Sequence, residues 1–109
     1  MKIKEITECG IFFDNGSNLT DCYEASCYEN NYADWCSLKD EMGGEIFNIN
    51  FDENLVFEES DSGFRFGSGI NMFFVPCYSE QNGYYSSDVD ICYNGKPVFR
   101  ASGDIICNE

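Results

Sequence analysis

The sequence has no histidine, two prolines, one tryptophan and only six basic residues against twenty acidic ones. Without histidine the chain lacks the commonest general base near neutral pH and the commonest zinc ligand. Ser-His and Cys-His mechanisms are therefore excluded. No apolar stretch approaches the roughly 20 residues that a membrane-spanning helix needs. The scarcity of cations leaves a formal charge of −14, and between Glu5 and Phe64 the only basic residue is Lys39. Such a field repels nucleic acid, whose duplex carries about one negative charge per 1.7 Å of axis, and it repels anionic lipid. Neither direct nucleic-acid binding nor a membrane is expected; the field steers the chain towards basic surfaces.

What is present suffices for one domain. Of the 109 residues 43% are apolar and 17% aromatic, including ten Phe and seven Tyr, enough for a core without a metal or disulfide framework. That bulk argues against disorder despite the charge. The seven cysteines are an odd number, and Met1 to Phe13 contains no apolar run long enough for a signal peptide. The expectation is a cytoplasmic protein with free thiols. The sequon Asn18-Leu19-Thr20 would matter only in a secreted chain.

Three Asn-Gly pairs, at Asn15-Gly16, Asn82-Gly83 and Asn94-Gly95, sit among strand-like residues; Asn and Gly tolerate the positive φ of tight hairpin turns. The second predicts a central hairpin joining Asn71 to Tyr78 with Tyr84 to Tyr93. In its second arm Val89, Ile91 and Tyr93 alternate with Asp88, Asp90 and Cys92, so one face meets the core and the carboxylates face away. Pro76 cannot donate a ladder hydrogen bond and marks an edge or a bulge. Leu55-Val56-Phe57 and Phe64-Arg65-Phe66 bracket the turn-like Ser60-Asp61-Ser62-Gly63. Between Glu29 and Met42, Tyr32, Ala33, Trp35, Cys36 and Leu38 fall near helical spacing, and Gly43-Gly44 ends the segment. The predicted class is α+β, mostly β: an antiparallel meander of about six to eight strands with one short helix that Trp35 packs on the sheet.

Paired carboxylates do acid and base work only when burial raises one pKa, and here they read as solvated faces. No catalytic residue and no enzymatic activity are expected. Four thiolates can bind zinc, but there is no Cys-x-x-Cys, and Cys22, Cys27 and Cys36 are separated by five and nine residues, whereas zinc sites usually draw on two close pairs. Cys9, Cys77 and Cys92, in apolar strands, read as small core residues. Asp88 and Asp90 lie roughly 6 to 7 Å apart at strand rise, within reach of one hard cation, but no calcium-loop pattern accompanies them. An exposed acidic stripe is the simpler reading, and no cofactor or metal is assigned. Tyr78, Tyr84 and Tyr85 read as cross-strand aromatic pairs before they read as an interaction surface.

Two segments carry a resemblance: Cys27-Tyr28-Glu29-Asn30-Asn31-Tyr32-Ala33-Asp34-Trp35, and Phe74-Val75-Pro76-Cys77-Tyr78-Ser79-Glu80-Gln81-Asn82-Gly83-Tyr84-Tyr85-Ser86-Ser87-Asp88. With Phe13-Asp14-Asn15-Gly16-Ser17 as a third match, the chain resembles a group of small proteins of unassigned function found in phages and mobile elements of gut bacteria. The family pattern often has a second Cys where this chain has Tyr28 and a His where it has Tyr23, which weakens a metal site here. The resemblance implies a context in which small acidic phage proteins disable host defences by binding them, as anti-CRISPR proteins do.

The expected function is thus that of a non-enzymatic, phage-type inhibitor that mimics nucleic acid and engages a basic, nucleic-acid-binding host protein. Glu24, Glu29, Asp34, Asp40, Glu41, Asp88 and Asp90 are the candidate contacts. The alternative is a cysteine- or zinc-stabilised, or homo-oligomeric, interaction module in which Cys22, Cys27 and Cys36 join a distant Cys.

Overall fold

In the computed structural model of the protein, which describes residues 1–21, 30–81 and 86–107, Asn94 and Gly95 take φ of 53° and 82°. Positive φ at both central residues is what a two-residue I′ hairpin turn requires, and the turn joins β8 (Asp88–Tyr93) to β9 (Lys96–Ser102). Gly16, at φ 89°, closes the loop between β2 (Gly10–Phe13) and β3 (Asn18–Asp21), where the Phe13 amide donates to the Ser17 carbonyl at 2.8 Å. β1 (Ile3–Thr7) pairs with β2. One sheet therefore runs β1-β2-β3-β8-β9, every pair antiparallel.

The second sheet is organised around β7 (Met72–Gln81). Its first half pairs with β6 (Gly63–Gly67), which pairs in turn with β5 (Val56–Ser60) across the Asp61-Ser62 turn. Its second half pairs antiparallel with β4 (Asn30–Ala33) and parallel with β10 (Asp104–Cys107). Pro76 sits at the handover. It is opposite Gly63, the last residue in register with β6, while its carbonyl accepts from the Asp34 amide at 2.8 Å just beyond β4. A residue with no N–H is tolerated where one neighbour ends and the next begins.

The mostly β, α+β class is observed, with corrections in detail. Ten strands are described, not six to eight. The meander holds within β1-β2-β3, β5-β6-β7 and β8-β9, and it breaks where β3 pairs with β8 and β10 runs parallel to β7. The expected central hairpin is not formed. The strands on either side of Asn82-Gly83, a pair outside the described residues, lie in different sheets, because β7 is occupied by β6, β4 and β10. The helical segment is shorter than expected: α1 covers Ser37–Met42 and continues into a 3-10 turn, Gly43–Asn48. Residues 30–33 are strand, since Asn31 and Ala33 point inward and Asn30 and Tyr32 outward, which is period two.

One core serves both sheets. Ile11, Leu19, Val89 and Ile91 come from the first and Phe64, Phe66, Val75 and Cys77 from the second, all fully buried. Trp35, just ahead of α1, is also fully buried and meets Phe64 edge-on at 5.7 Å. Phe51 links Phe13, Phe66 and Phe73 at centroid distances of 5.8, 5.7 and 5.5 Å. Each such side chain contributes roughly 1.5–3 kcal/mol by leaving water.

The cysteines depart from expectation. Cys77 is a free core thiol, as read from the sequence. Cys9 is free but exposed, because it falls in the β1-β2 turn. Cys92 is buried yet disulfide-bonded. The uniformly free thiols expected from the sequence are therefore not observed.

Candidate functional site

The alternation of β7 creates two chemically distinct surfaces. Val75, Cys77, Ser79 and Gln81 point inward and are buried, while Pro76, Tyr78 and Glu80 lie on the other side. Inward, a polar cluster replaces hydrocarbon. The Ser79 hydroxyl donates to the Asn31 side-chain oxygen, and Gln81 Nε2 donates to Ser79 Oγ at 2.6 Å and to the Ser86 carbonyl at 3.0 Å. Asn31 Nδ2 donates to the Ser86 and Asp88 carbonyls at 3.0 and 3.1 Å. Buried polar groups are tolerated when their bonds are made, and these run from β4 and β7 in one sheet to the segment entering β8 in the other. The cluster contains no base, and its role is to staple the sheets together.

Outward, β4 and β7 line a concavity. Register places Tyr32 opposite Tyr78 and Asn30 opposite Glu80. The two tyrosine rings lie 5.8 Å apart, so Tyr78 pairs across strands with Tyr32 of β4 and not across the hairpin expected from the sequence; Tyr84 and Tyr85 fall outside the described residues. Tyr32 Oη donates to Glu80 Oε1 at 3.4 Å. Beside this ladder opens a cavity of about 510 Å³, to which Glu80, Asn30 and Tyr32 contribute with Ala33, Asp34, Trp35 and Cys36 from the entry to α1 and Glu8 from the β1-β2 turn. Burial and the negative charges of Glu80 and Asp34 push the Tyr32 phenol above its ordinary pKa. The ion pairs among the described residues are Arg65 with Glu58 and Arg100 with Asp90, so none reaches Glu8, Asp34 or Glu80.

Asp21, at the end of β3, is hydrogen-bonded to Ala33 of the cavity wall. Its Oδ2 accepts from the Ala33 amide at 3.0 Å, which ties the first sheet to β4. Burial raises its pKa more than the donors at Ala33, its own backbone and the Trp35 indole lower it. The buried Trp35 N–H acts on this carboxyl but makes no hydrogen bond within normal geometry among the described residues. Burial, and secondarily the Asp21 charge, push the Cys77 thiol up to about 12.

The sequence-predicted contacts are scattered. Asp34 lines the cavity. Asp40 and Glu41 are exposed on α1. Asp88 is exposed, and Asp90 is engaged by Arg100 at 2.8 Å, so the β8 stripe is partly neutralised. Glu24 and Glu29 lie outside the described residues. Among the described residues no three His, Cys, Asp or Glu side chains group as metal ligands; of the cysteines weighed for zinc, Cys36 is free, and Cys22 and Cys27 lie outside that set. Sequence reasoning missed Glu8, Tyr32 and Glu80. The last two carry a signal, the two-residue period of β4 and β7, whereas Glu8 is brought in only by the tertiary fold. No helix is long and apolar enough to cross a membrane among the described residues. Comparison with family models, curated proteins and solved structures finds no match.

Proposed function

We propose that the chain is a non-enzymatic binding protein whose acidic surface engages a basic partner, in the manner of a phage-type inhibitor that occupies the nucleic-acid-binding groove of a host defence protein. The observation that carries this reading is unbalanced charge. The formal −14 already nets six basic residues against twenty acidic ones, and the two ion pairs among the described residues, both between exposed or half-exposed side chains, engage only Glu58 and Asp90. The remaining carboxylates, Asp34, Asp40, Glu41 and Asp88 among them, are free to steer a cationic surface.

The reading sets the encounter in the host cytoplasm, and the disulfide at Cys92 runs against that part, because cytosolic thiol pools keep structural cysteines reduced. The same disulfide favours a second reading, a cysteine-stabilised interaction module acting in an oxidising compartment. The test is a pull-down from bacterial lysate at low and high salt with identification of what is retained. A basic, nucleic-acid-binding protein held at low salt and released at high salt is the expected result, since attraction is screened within about 8 to 10 Å at physiological ionic strength. Specific capture that ignores salt would refute the charge-driven reading.

A further inference from the structure

The cavity beside β4 has the size of a ligand site; such sites run to roughly 300–1,000 Å³. Its wall combines a half-exposed tyrosine ring, Tyr32, with the carboxylates of Asp34, Glu80 and Glu8. Among the described residues none is ion-paired, and of the three carboxylates Glu80 alone accepts a side-chain hydrogen bond, through one oxygen, from Tyr32. The carboxylates do not group tightly enough to act as ligands of one metal ion. Separated acceptors beside an aromatic face suit a flat cation with several donors spread over its edge. A guanidinium has five N–H donors in a plane and stacks on aromatic rings, whereas an ammonium is a compact, strongly hydrated point charge. Burial first, and then the charges of Glu80 and Asp34, raise the Tyr32 pKa, in keeping with both carboxylates lining the same cavity.

We infer that this cavity is an arginine pocket, in which the guanidinium of a basic partner protein lies against the Tyr32 ring with Asp34 and Glu80 as its carboxylate partners. The inference rests on the acidic-surface reading and gives it an anchor. Long-range charge brings the partner in, and a bidentate, partly desolvated arginine fixes the register, which is how arginine contributes at protein interfaces.

The test uses capped tri-arginine and tri-lysine peptides, titrated calorimetrically into the intact protein at low ionic strength. Trp35, the only tryptophan and part of the cavity wall, gives an independent fluorescence signal. Tri-arginine is expected to bind more tightly than tri-lysine, and E80Q and D34N are each expected to weaken it about tenfold, the equivalent of one charged hydrogen bond. D61N, which removes the same charge from the exposed β5-β6 turn outside the cavity, is expected to change it less than about twofold. Circular dichroism checks that each variant is folded. Equal losses in D61N and E80Q, or equal affinity for the two peptides, would overturn the pocket while leaving the acidic-surface reading intact. Absence of tri-arginine binding overturns the pocket as well, and the acidic-surface reading falls with it only if the pull-down also retains no basic protein.

Discussion

Replacing Asn31 by alanine removes the centre of the polar staple between the sheets. Its side chain is 3% exposed; it donates to the Ser86 carbonyl at 3.0 Å and the Asp88 carbonyl at 3.1 Å and accepts from the Ser79 hydroxyl. Each bond contributes roughly 1 kcal/mol net, and buried partners left without their bond add to the loss, so Asn31→Ala is expected to cost about 3 kcal/mol. With a urea m-value of about 2 kcal/mol per molar for a domain of this size, the midpoint should fall by about 1.5 M. Domains of this size have roughly 5–15 kcal/mol in all, so the variant stays measurable by urea titration followed by circular dichroism. Ser79→Ala should cost less, and the double variant should fall short of the sum of the singles by about 1 kcal/mol, because both remove the same Ser79-Asn31 bond. A midpoint shift below about 0.3 M, or strict additivity, would refute the staple.

Asp21→Asn keeps an acceptor for the Ala33 amide and removes a carboxyl whose folded pKa is raised by burial. Because the folded state holds that proton more tightly than the unfolded chain, Asp21 contributes a penalty that is full above the raised value and vanishes as pH falls towards the ordinary 3.8. The variant should therefore match or exceed the parent in stability at pH 7, with the difference shrinking towards pH 4 in paired urea titrations; a variant less stable at pH 7 and equal at pH 4 would contradict the sign. Thiol mapping is the third expectation: exposed Cys9 should alkylate readily at pH 8. Buried Cys77, pushed up to about 12, should alkylate only on unfolding, and disulfide-bonded Cys92 only after reduction. Labelling of unreduced Cys92 in peptide mass spectra would show that the disulfide is not present.

Local signals were legible wherever the chain determines its own conformation. Asn94-Gly95 makes its turn because both residues tolerate positive φ, and Ser60 to Gly63 joins β5 to β6 within a few residues. The failures are non-local. The apolar spacing of Tyr32, Ala33, Trp35 and Leu38 fits a helix by counting, but Asn31 is drawn inward by Ser79, a residue 48 positions later, and the segment through Ala33 becomes strand. The hairpin around Asn82-Gly83 read plausibly because each flank is strand-like; the pairing went elsewhere because β7 had three other partners. The acidic contact list captured Asp34 but not Glu80 or Glu8, since charge content alone does not reveal which carboxylates meet across a register.

The same two-residue period that makes the staple also makes the cavity. On β4, Asn31 faces in and Tyr32 out; on β7, Ser79 faces in and Glu80 out. Inward bonds therefore fix the strands whose outward side chains form the pocket wall, and a rigid support of this kind is what holds recognition groups in place. It follows that a loss of peptide binding in Asn31→Ala would report a shifted wall and not a missing ligand group. E80Q retains the Tyr32 contact, leaves the staple untouched and changes only the charge presented to the cavity, so a loss of arginine binding in E80Q alone separates the chemistry of the pocket from the architecture beneath it.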